Sequence, residues 1–304
     1  MEKNLSALGF MSGTSGDGVD TSVISSNGKD IINITYNRFD PYPISLSNKI
    51  HRVKENISEI QDLLKYSSDV SELELQITNF HADIANKTSK EIDFDLIGFH
   101  GHTIYHNSEQ KISKQIGLGV DLSKKTKKTV VYDFRQEDIK NGGEGAPLSP
   151  IYHLALIKGL YNENKVKIPI SILNIGGIAN ITEIDEDFKI TSRDIGPGNC
   201  LIDMWVRKNS NKLFDKNGEL ATKGKTDKFI FNQFLDNFYY SKINFKRSLD
   251  TNDFDITFAK GLSLENGTAT ITDLTSELLS KKIGIYDVYV CGGGRKNKFL
   301  INSL

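Results

Sequence analysis

Leu8-Gly9-Phe10-Met11-Ser12-Gly13-Thr14-Ser15-Gly16-Asp17-Gly18-Val19-Asp20 carries a short apolar strand into a dense polar turn, and a returning strand continues through Thr21 to Ile24. Apolar residues anchor the turn on both sides, and its glycines let the backbone approach a ligand closely. Backbone N–H groups with the Thr14 and Ser15 hydroxyls can cradle phosphate oxygens. Asp17 and Asp20 sit where a nucleotide enzyme needs oxygen ligands for a hydrated Mg2+. An ordinary Gly/Ser-rich β-turn fits this segment equally well when it is taken alone.

At 304 residues the chain exceeds the usual size of one domain, so two domains are expected, with a cleft between them as the natural ligand site. The charge is nearly balanced, 38 basic against 39 acidic residues for a formal net charge of -1, which leaves no electrostatic footprint for nucleic acid or an anionic membrane. Cys200 and Cys291 are too few for a disulfide scaffold and suit a reducing compartment. No early apolar run is long enough for a signal peptide or a membrane span. The expectation is a cytoplasmic globular protein.

Outward from the hairpin, residues 31–36 read as a strand punctuated by Pro41 and Pro43, and 45–90 as helical, with Val70, Leu73, Ile77, Phe80 and Ile84 at three- and four-residue spacing. His81 in this stretch reads as a surface or partly buried structural residue. Short strands follow at 94–99, 112–118 and 129–132. The pattern is a mixed α/β layer. The second half repeats the opening: residues 169–175 lead into Gly176-Gly177, and 178–182 return. Helices are expected at 200–208 and 270–282, a strand at 286–291 ending in Gly292-Gly293-Gly294, and the start of a helix at 297–304. The simplest division is an N-terminal domain over 1–150 and a C-terminal domain over 151–304, joined somewhere between Asn141 and Lys167.

Three glycine turns at strand ends, near residues 13, 176 and 293, can converge on one nucleotide if the two halves face each other. Two hairpins would then hold phosphates, and the triple glycine would admit a flat base or ribose. Three unrelated turns is the competing reading. Neither a Gly-x-x-x-x-Gly-Lys-[Ser/Thr] loop nor a Gly-x-Gly-x-x-Gly turn is found in a strand-to-helix context.

Seven motifs occur in order: Met11 to Asp20, His100-Gly101-His102-Thr103, Asp133-Phe134-Arg135, Gly142-Gly143-Glu144-Gly145-Ala146-Pro147-Leu148, Leu173-Asn174-Ile175-Gly176-Gly177-Ile178-Ala179-Asn180, Asp194-Ile195-Gly196-Pro197-Gly198-Asn199, and Cys291 to Gly294. Along nearly all its length the sequence resembles the anhydro-N-acetylmuramic acid kinase family. The resemblance implies a two-domain actin-like (ribonuclease H-like) α/β ATPase fold with an interdomain active-site cleft. It also implies that water opens a 1,6-anhydro sugar while ATP phosphorylates the freed O6, in peptidoglycan recycling. ATP would be held by Gly13, Thr14, Ser15, Gly16, Asp17, Gly18, Val19 and Asp20, by Asn174, Gly176 and Gly177, and by Gly292, Gly293 and Gly294, with Asp17 and Asp20 positioning Mg2+ through water.

In the resembling family the aspartate matching Asp194 is the general base that takes a proton from the attacking water. A carboxylate suits that task where burial or a neighbouring acid raises its basicity. Asp194 can equally cap a turn or the helix near Cys200. His100 and His102 match a segment lying near the sugar, usually His-Gly-Gln-Thr, so His102 stands in place of glutamine. Zinc held by His100, His102 and His106 is set aside for want of a well-spaced further ligand. Arg135 can grip the lactyl carboxylate with two parallel hydrogen bonds, or pair with Asp133, Glu137 or Asp138. Glu144 can accept sugar hydroxyls, and Trp205 reads as core.

The sequence also departs from the family elsewhere. Gly16 replaces a usual leucine and is expected to loosen the turn. The Pro-Lys-Ser-Thr-Gly-like segment is blurred to Phe245-Lys246-Arg247-Ser248-Leu249-Asp250. Members typically continue well beyond the triple glycine, so a shortened C-terminal domain is expected to expose Phe299, Leu300 and Ile301, which a partner subunit could cover. A homodimer is implied by the resemblance. A catalytically weak ATP-binding clamp or sensor of the same fold is the alternative function.

Overall fold

The computed structural model describes residues 4–13, 16–29, 32–107, 110–239, 248–284 and 286–304. The chain divides into two compact units, Met1–Val166 and Lys167–Leu304. In the first, β1 (Leu5–Ser12), β2 (Gly18–Ser26) and β3 (Ile32–Pro41) form an antiparallel meander. After α1 (Ile44–Glu55), α2 (Ile60–Lys65) and α3 (Ser67–Thr88) come β4 (Leu96–Phe99), β5 (His102–Asn107), β6 (Ile112–Ile116), α4 (Gly119–Thr126) and β7 (Thr129–Tyr132). β4 runs parallel to β1 and β7 parallel to β4, giving the order β3-β2-β1-β4-β7. α5 (Phe134–Lys140) and α6 (Pro150–Asn162) complete this unit, which therefore extends past residue 150.

The alternation of apolar residues in the opening hairpin has its expected consequence. Leu8 and Phe10 of β1, with Val19 and Val23 of β2, are buried in a core shared with Ile50, Val53, Leu73, Ile77 and Ile97. Each such side chain contributes about 1.5–3 kcal/mol by leaving water. The stretch expected to be helical over 45–90 is broken in two places. At the first break the Asp62 carboxylate accepts the Ser58 and Glu59 N–H groups, at 3.0 and 3.1 Å, and these bonds start a new helix. His81 is fully buried rather than superficial: its Nδ1 meets the Ile77 carbonyl at 2.8 Å, and its ring lies edge-on to Phe10 and Phe99.

The second unit repeats the plan. β8 (Ile170–Ile175), β9 (Ile178–Ile184) and β10 (Ile190–Pro197) are an antiparallel meander, and β11 (Asp287–Cys291) lies parallel to β8, giving β10-β9-β8-β11. The helices are α7 (Cys200–Asn209), α8 (Glu219–Lys223), α9 (Lys228–Tyr239), α10 (Leu264–Ser280) and α11 (Lys298–Ser303). Two meanders, each extended by a parallel strand beside its first member, make the α/β, actin-like topology that the sequence led us to expect.

The segment around Asp194 is the end of β10, with a bulge between Asp194 and Gly196. β10 is an edge strand, the place in a sheet where a proline such as Pro197, which lacks an N–H, is tolerated. Leu300 is not exposed. It is fully buried against Leu173, Ile175 and Leu279, because Asn297 Oδ1 caps α11 by accepting the Leu300 N–H at 3.1 Å and turns that face inward. Phe299 and Ile301 are half-buried. No helix among the described residues is long and apolar enough to cross a membrane.

Candidate active site

The first hairpin closes through its backbone. The Gly16 N–H donates to the Gly13 carbonyl at 3.0 Å, and Gly16 adopts φ +61°, which glycine takes at little cost. The turn is tied down rather than loose: Ser47 Oγ donates to the Gly16 carbonyl at 2.7 Å, and the Tyr42 N–H to the Asp17 carbonyl at 3.0 Å. A side chain at position 16 would start 3.2 Å from His51 Nε2 and 3.3 Å from Ile50 Cγ2. Thr14 and Ser15 lie outside the described residues. Gly18 and Val19 are buried, while Asp17 and Asp20 are exposed. Two exposed carboxylates suit an ion that keeps much of its water shell and binds mainly through phosphate, as Mg2+ does. Among the described residues no group of three His, Cys, Asp or Glu side chains is gathered to hold a metal.

Ser12, the last residue of β1, is paired across the sheet with His102, the first of β5. Its Oγ lies 2.7 Å from His102 Nδ1 and 2.8 Å from the Tyr42 hydroxyl. His102 is fully buried, and burial, aided by nearby Lys54, lowers its pKa to about 3, so the ring is neutral at physiological pH. Burial raises the Tyr42 pKa. His102 therefore braces the hairpin from behind and presents no surface to a sugar. Sequence reasoning missed Ser12 and Tyr42, although Ser12 lies inside the quoted motif.

His100 sits at the end of β4. Arg135, in the first turn of α5, donates Nε–H to His100 Nε2 at 3.1 Å, while His100 Nδ1 faces the Gly101 carbonyl at 3.2 Å. Burial and then the Arg135 charge lower the His100 pKa to about 4, so the ring is neutral, with its proton on Nδ1. The two residues fix each other, and the guanidinium is oriented by an imidazole. The glycine loop after α5 folds back on that helix: the Gly145 N–H donates to Asp138 Oδ2 at 2.8 Å and the Gly143 N–H to the Asp138 carbonyl at 2.9 Å. Glu144 stands exposed between them. His106 faces Ser113 Oγ at 3.0 Å, so the three histidines of this segment turn to different partners.

In the second unit the glycine turns do meet. The N–H groups of Gly198, Asn199 and Cys200 donate to the Gly177, Gly176 and Gly177 carbonyls at 2.9, 2.8 and 3.1 Å, which folds the start of α7 onto the β8–β9 hairpin. Asn199 Nδ2 adds a bond to Gly176 O at 3.1 Å, and sequence reasoning had not singled this residue out. The triple glycine packs against the same hairpin: a Cβ on Gly292 would lie 2.5 Å from Asn174 Oδ1, and one on Gly294 would lie 2.3 Å from Ile175 Cγ2. Gly293, between them, is exposed and faces no such obstruction. Asn174, Gly176, Gly177 and Gly292 to Gly294 thus pack into one glycine-rich cluster, on which Gly293 is the exposed position.

Asp194 is 7% exposed, and its Oδ2 accepts the Leu249 N–H at 2.7 Å and Ser248 Oγ at 3.3 Å. It does not cap α7, whose cap position is Asn199. The partners belong to the segment that sequence reading found blurred; Phe245, Lys246 and Arg247 of that segment lie outside the described residues. Trp205 is core, 3% exposed, with its indole N–H on the Leu264 carbonyl at 3.0 Å.

The anhydro-N-acetylmuramic acid kinase family model matches residues 5–304. The chain is 45% identical to the anhydro-N-acetylmuramic acid kinase of Pelagibacter ubique, over 100% of this chain and 84% of that protein. It is 34% identical to the protein of the same name from Agrobacterium fabrum, over 98% and 82%. Among solved structures, the activator of the 2-hydroxyisocaproyl-CoA dehydratase from Clostridium difficile with bound ADPNP aligns with 99% of this chain and 84% of that one, at 11% identity and TM-score 0.41.

Proposed function

The chain belongs to the anhydro-N-acetylmuramic acid kinase family, and we propose that it is an ATP-dependent kinase that opens 1,6-anhydro-N-acetylmuramic acid with water and phosphorylates O6. The product is N-acetylmuramic acid 6-phosphate, formed in peptidoglycan recycling in the cytoplasm by a homodimer. The observation that carries the reading is a nearly buried carboxylate, Asp194, held near the end of a strand by Leu249 N–H, four residues before the Gly198 turn that seats α7 on a glycine hairpin.

Asp194 accepts a proton from the attacking water. Attack at the anomeric carbon expels O6 with its electron pair, and the γ-phosphoryl group of ATP captures it. One bound geometry serves both bond changes, which is the advantage of orientation. The hairpin residues Gly13, Thr14, Ser15, Gly16, Asp17, Gly18, Val19 and Asp20, with Asn174, Gly176 and Gly177, hold the phosphates, and Gly292, Gly293 and Gly294 admit the adenosine. Asp17 and Asp20 would hold Mg2+, which would supply charge neutralisation at the phosphates. Arg135, oriented by His100, takes the lactyl carboxylate, Glu144 accepts sugar hydroxyls, and His102 acts through Ser12 on the phosphate hairpin.

The test is ADP release by the purified chain with and without 1,6-anhydro-N-acetylmuramic acid, with the sugar product followed by mass spectrometry. Sugar-dependent ADP and a 6-phosphosugar are expected. Asp194→Asn should lower kcat by roughly 100- to 10,000-fold, the usual contribution of a positioned base. An Asp194→Asn protein with undiminished turnover removes Asp194 from this role.

A further inference from the structure

One row of polar side chains crosses the second sheet: Asp194 of β10 opposes Asn180 of β9, Asn180 opposes Asn174 of β8, and Asn174 opposes Cys291 of β11. Opposed residues on antiparallel strands share a face, with Cβ atoms about 4.5–5.5 Å apart. Three members of the row have partners. Cys291 Sγ lies 3.7 Å from Asn174 Oδ1, and Asp194 Oδ2 takes Leu249 N–H and Ser248. Asn180 differs: its Oδ1 is buried and accepts no hydrogen bond from any described residue. Buried amide carbonyls are nearly always satisfied, so this one calls for a donor that the described residues do not supply.

Asp194 and the Asn180 carbonyl are two acceptors on neighbouring strands. The species that answers two acceptors with two O–H donors on one atom is water; a single sugar hydroxyl or amide N–H can serve only one of them. We infer that Asn180 is a positioning residue for the nucleophilic water, holding the O–H that Asp194 does not take. This rests on the function proposed above. Asp194 removes one proton while the water oxygen bonds to the anomeric carbon. The C1–O6 bond breaks with its electron pair on O6, O6 bonds to the γ-phosphorus, and the β,γ-bridging P–O bond breaks to release ADP. The second O–H becomes the anomeric hydroxyl, still donated to Asn180. With both O–H bonds assigned, one oxygen lone pair is directed at carbon.

Methanol as a competing nucleophile tests this, because its single O–H can satisfy Asp194 but not Asn180 as well. Wild type, Asn180→Val and Asn180→Ala are run with ATP, Mg2+ and the anhydro sugar in water containing methanol. The ratio of methyl glycoside 6-phosphate to reducing sugar 6-phosphate is read by mass spectrometry. Valine is at home in a strand, so the fold should tolerate at least one replacement. Both variants should raise the methanol-to-water ratio by about tenfold, the worth of one lost hydrogen bond, with KM for ATP unchanged. Ser192→Ala, on the same strand as Asp194, should leave the ratio at the wild-type value. Slower turnover of the Asn180 variants with an unchanged ratio would overturn the inference while leaving the kinase reading intact. Failure of the wild type to phosphorylate the sugar would overturn both.

Discussion

Restoring the residue that the resembling family usually carries at position 16 should damage this protein. Gly16 sits at φ +61°, and its Cβ position is 3.2 Å from His51 Nε2 and 3.3 Å from Ile50 Cγ2. Ile50 is fully buried in the first core and cannot yield without disturbing it. A non-glycine residue in the left-handed region costs about 1–2 kcal/mol. Forcing a branched side chain into a packed site costs about 1–3 kcal/mol more. Gly16→Leu should therefore lose roughly 2–5 kcal/mol from the unit Met1–Val166, or about 4–20 °C in Tm at the 2–4 °C per kcal/mol of a domain this size. Calorimetry reads the loss, and KM for ATP should rise because the Gly16 N–H to Gly13 bond closes the turn. The double variant Gly16→Leu/His51→Ala should recover the His51 share of the steric part and keep the Ile50 contact and the backbone part. A Gly16→Leu protein melting within about 1 °C of wild type would refute both the strain and the contact.

Two further outcomes follow from burial. Leu300→Ala should destabilise the second unit by about 2–5 kcal/mol in urea unfolding, since Leu300 is fully buried; a near-zero effect would restore the exposed reading of α11. The buried histidines set a pH dependence. His81 and His100 have pKa values lowered to about 4, and His102 to about 3, against an ordinary value of 6.5. The unfolded chain binds their protons first, so stability is full above pH 6.5 and falls as the pH drops from there towards 4. Denaturant midpoints measured between these limits should show the decline. His102→Gln should make it shallower, leaving the shares of His81 and His100, and an unchanged slope would place His102 in contact with water.

The repeated architecture was legible in the sequence because its signals are local. Apolar runs broken by Gly16-Asp17-Gly18, Gly176-Gly177 and Gly292 to Gly294 mark strand ends whatever the rest of the chain does. α10 was legible only from Thr270, because Thr268 and Thr270 spend their hydroxyls on the carbonyls of Leu264 and Asn266, so the first turns look polar although they are buried. β5 was missed because His102, Thr103 and His106 are polar yet buried, which erases the alternation by which a strand is recognised.

By itself the sequence determined the two meanders, the glycine turns and the near-neutral charge, since backbone conformation and hydropathy are properties of neighbouring residues. Only the tertiary structure decided what the chemical side chains face. His102 turns inward because Ser12, 90 positions away, meets its ring. Asp194 ends a strand beside Asn180 because register, not spacing, pairs them, and it is anchored by Leu249, 55 positions on. Contacts of that separation depend on how strands align and cores close, and no local pattern encodes them.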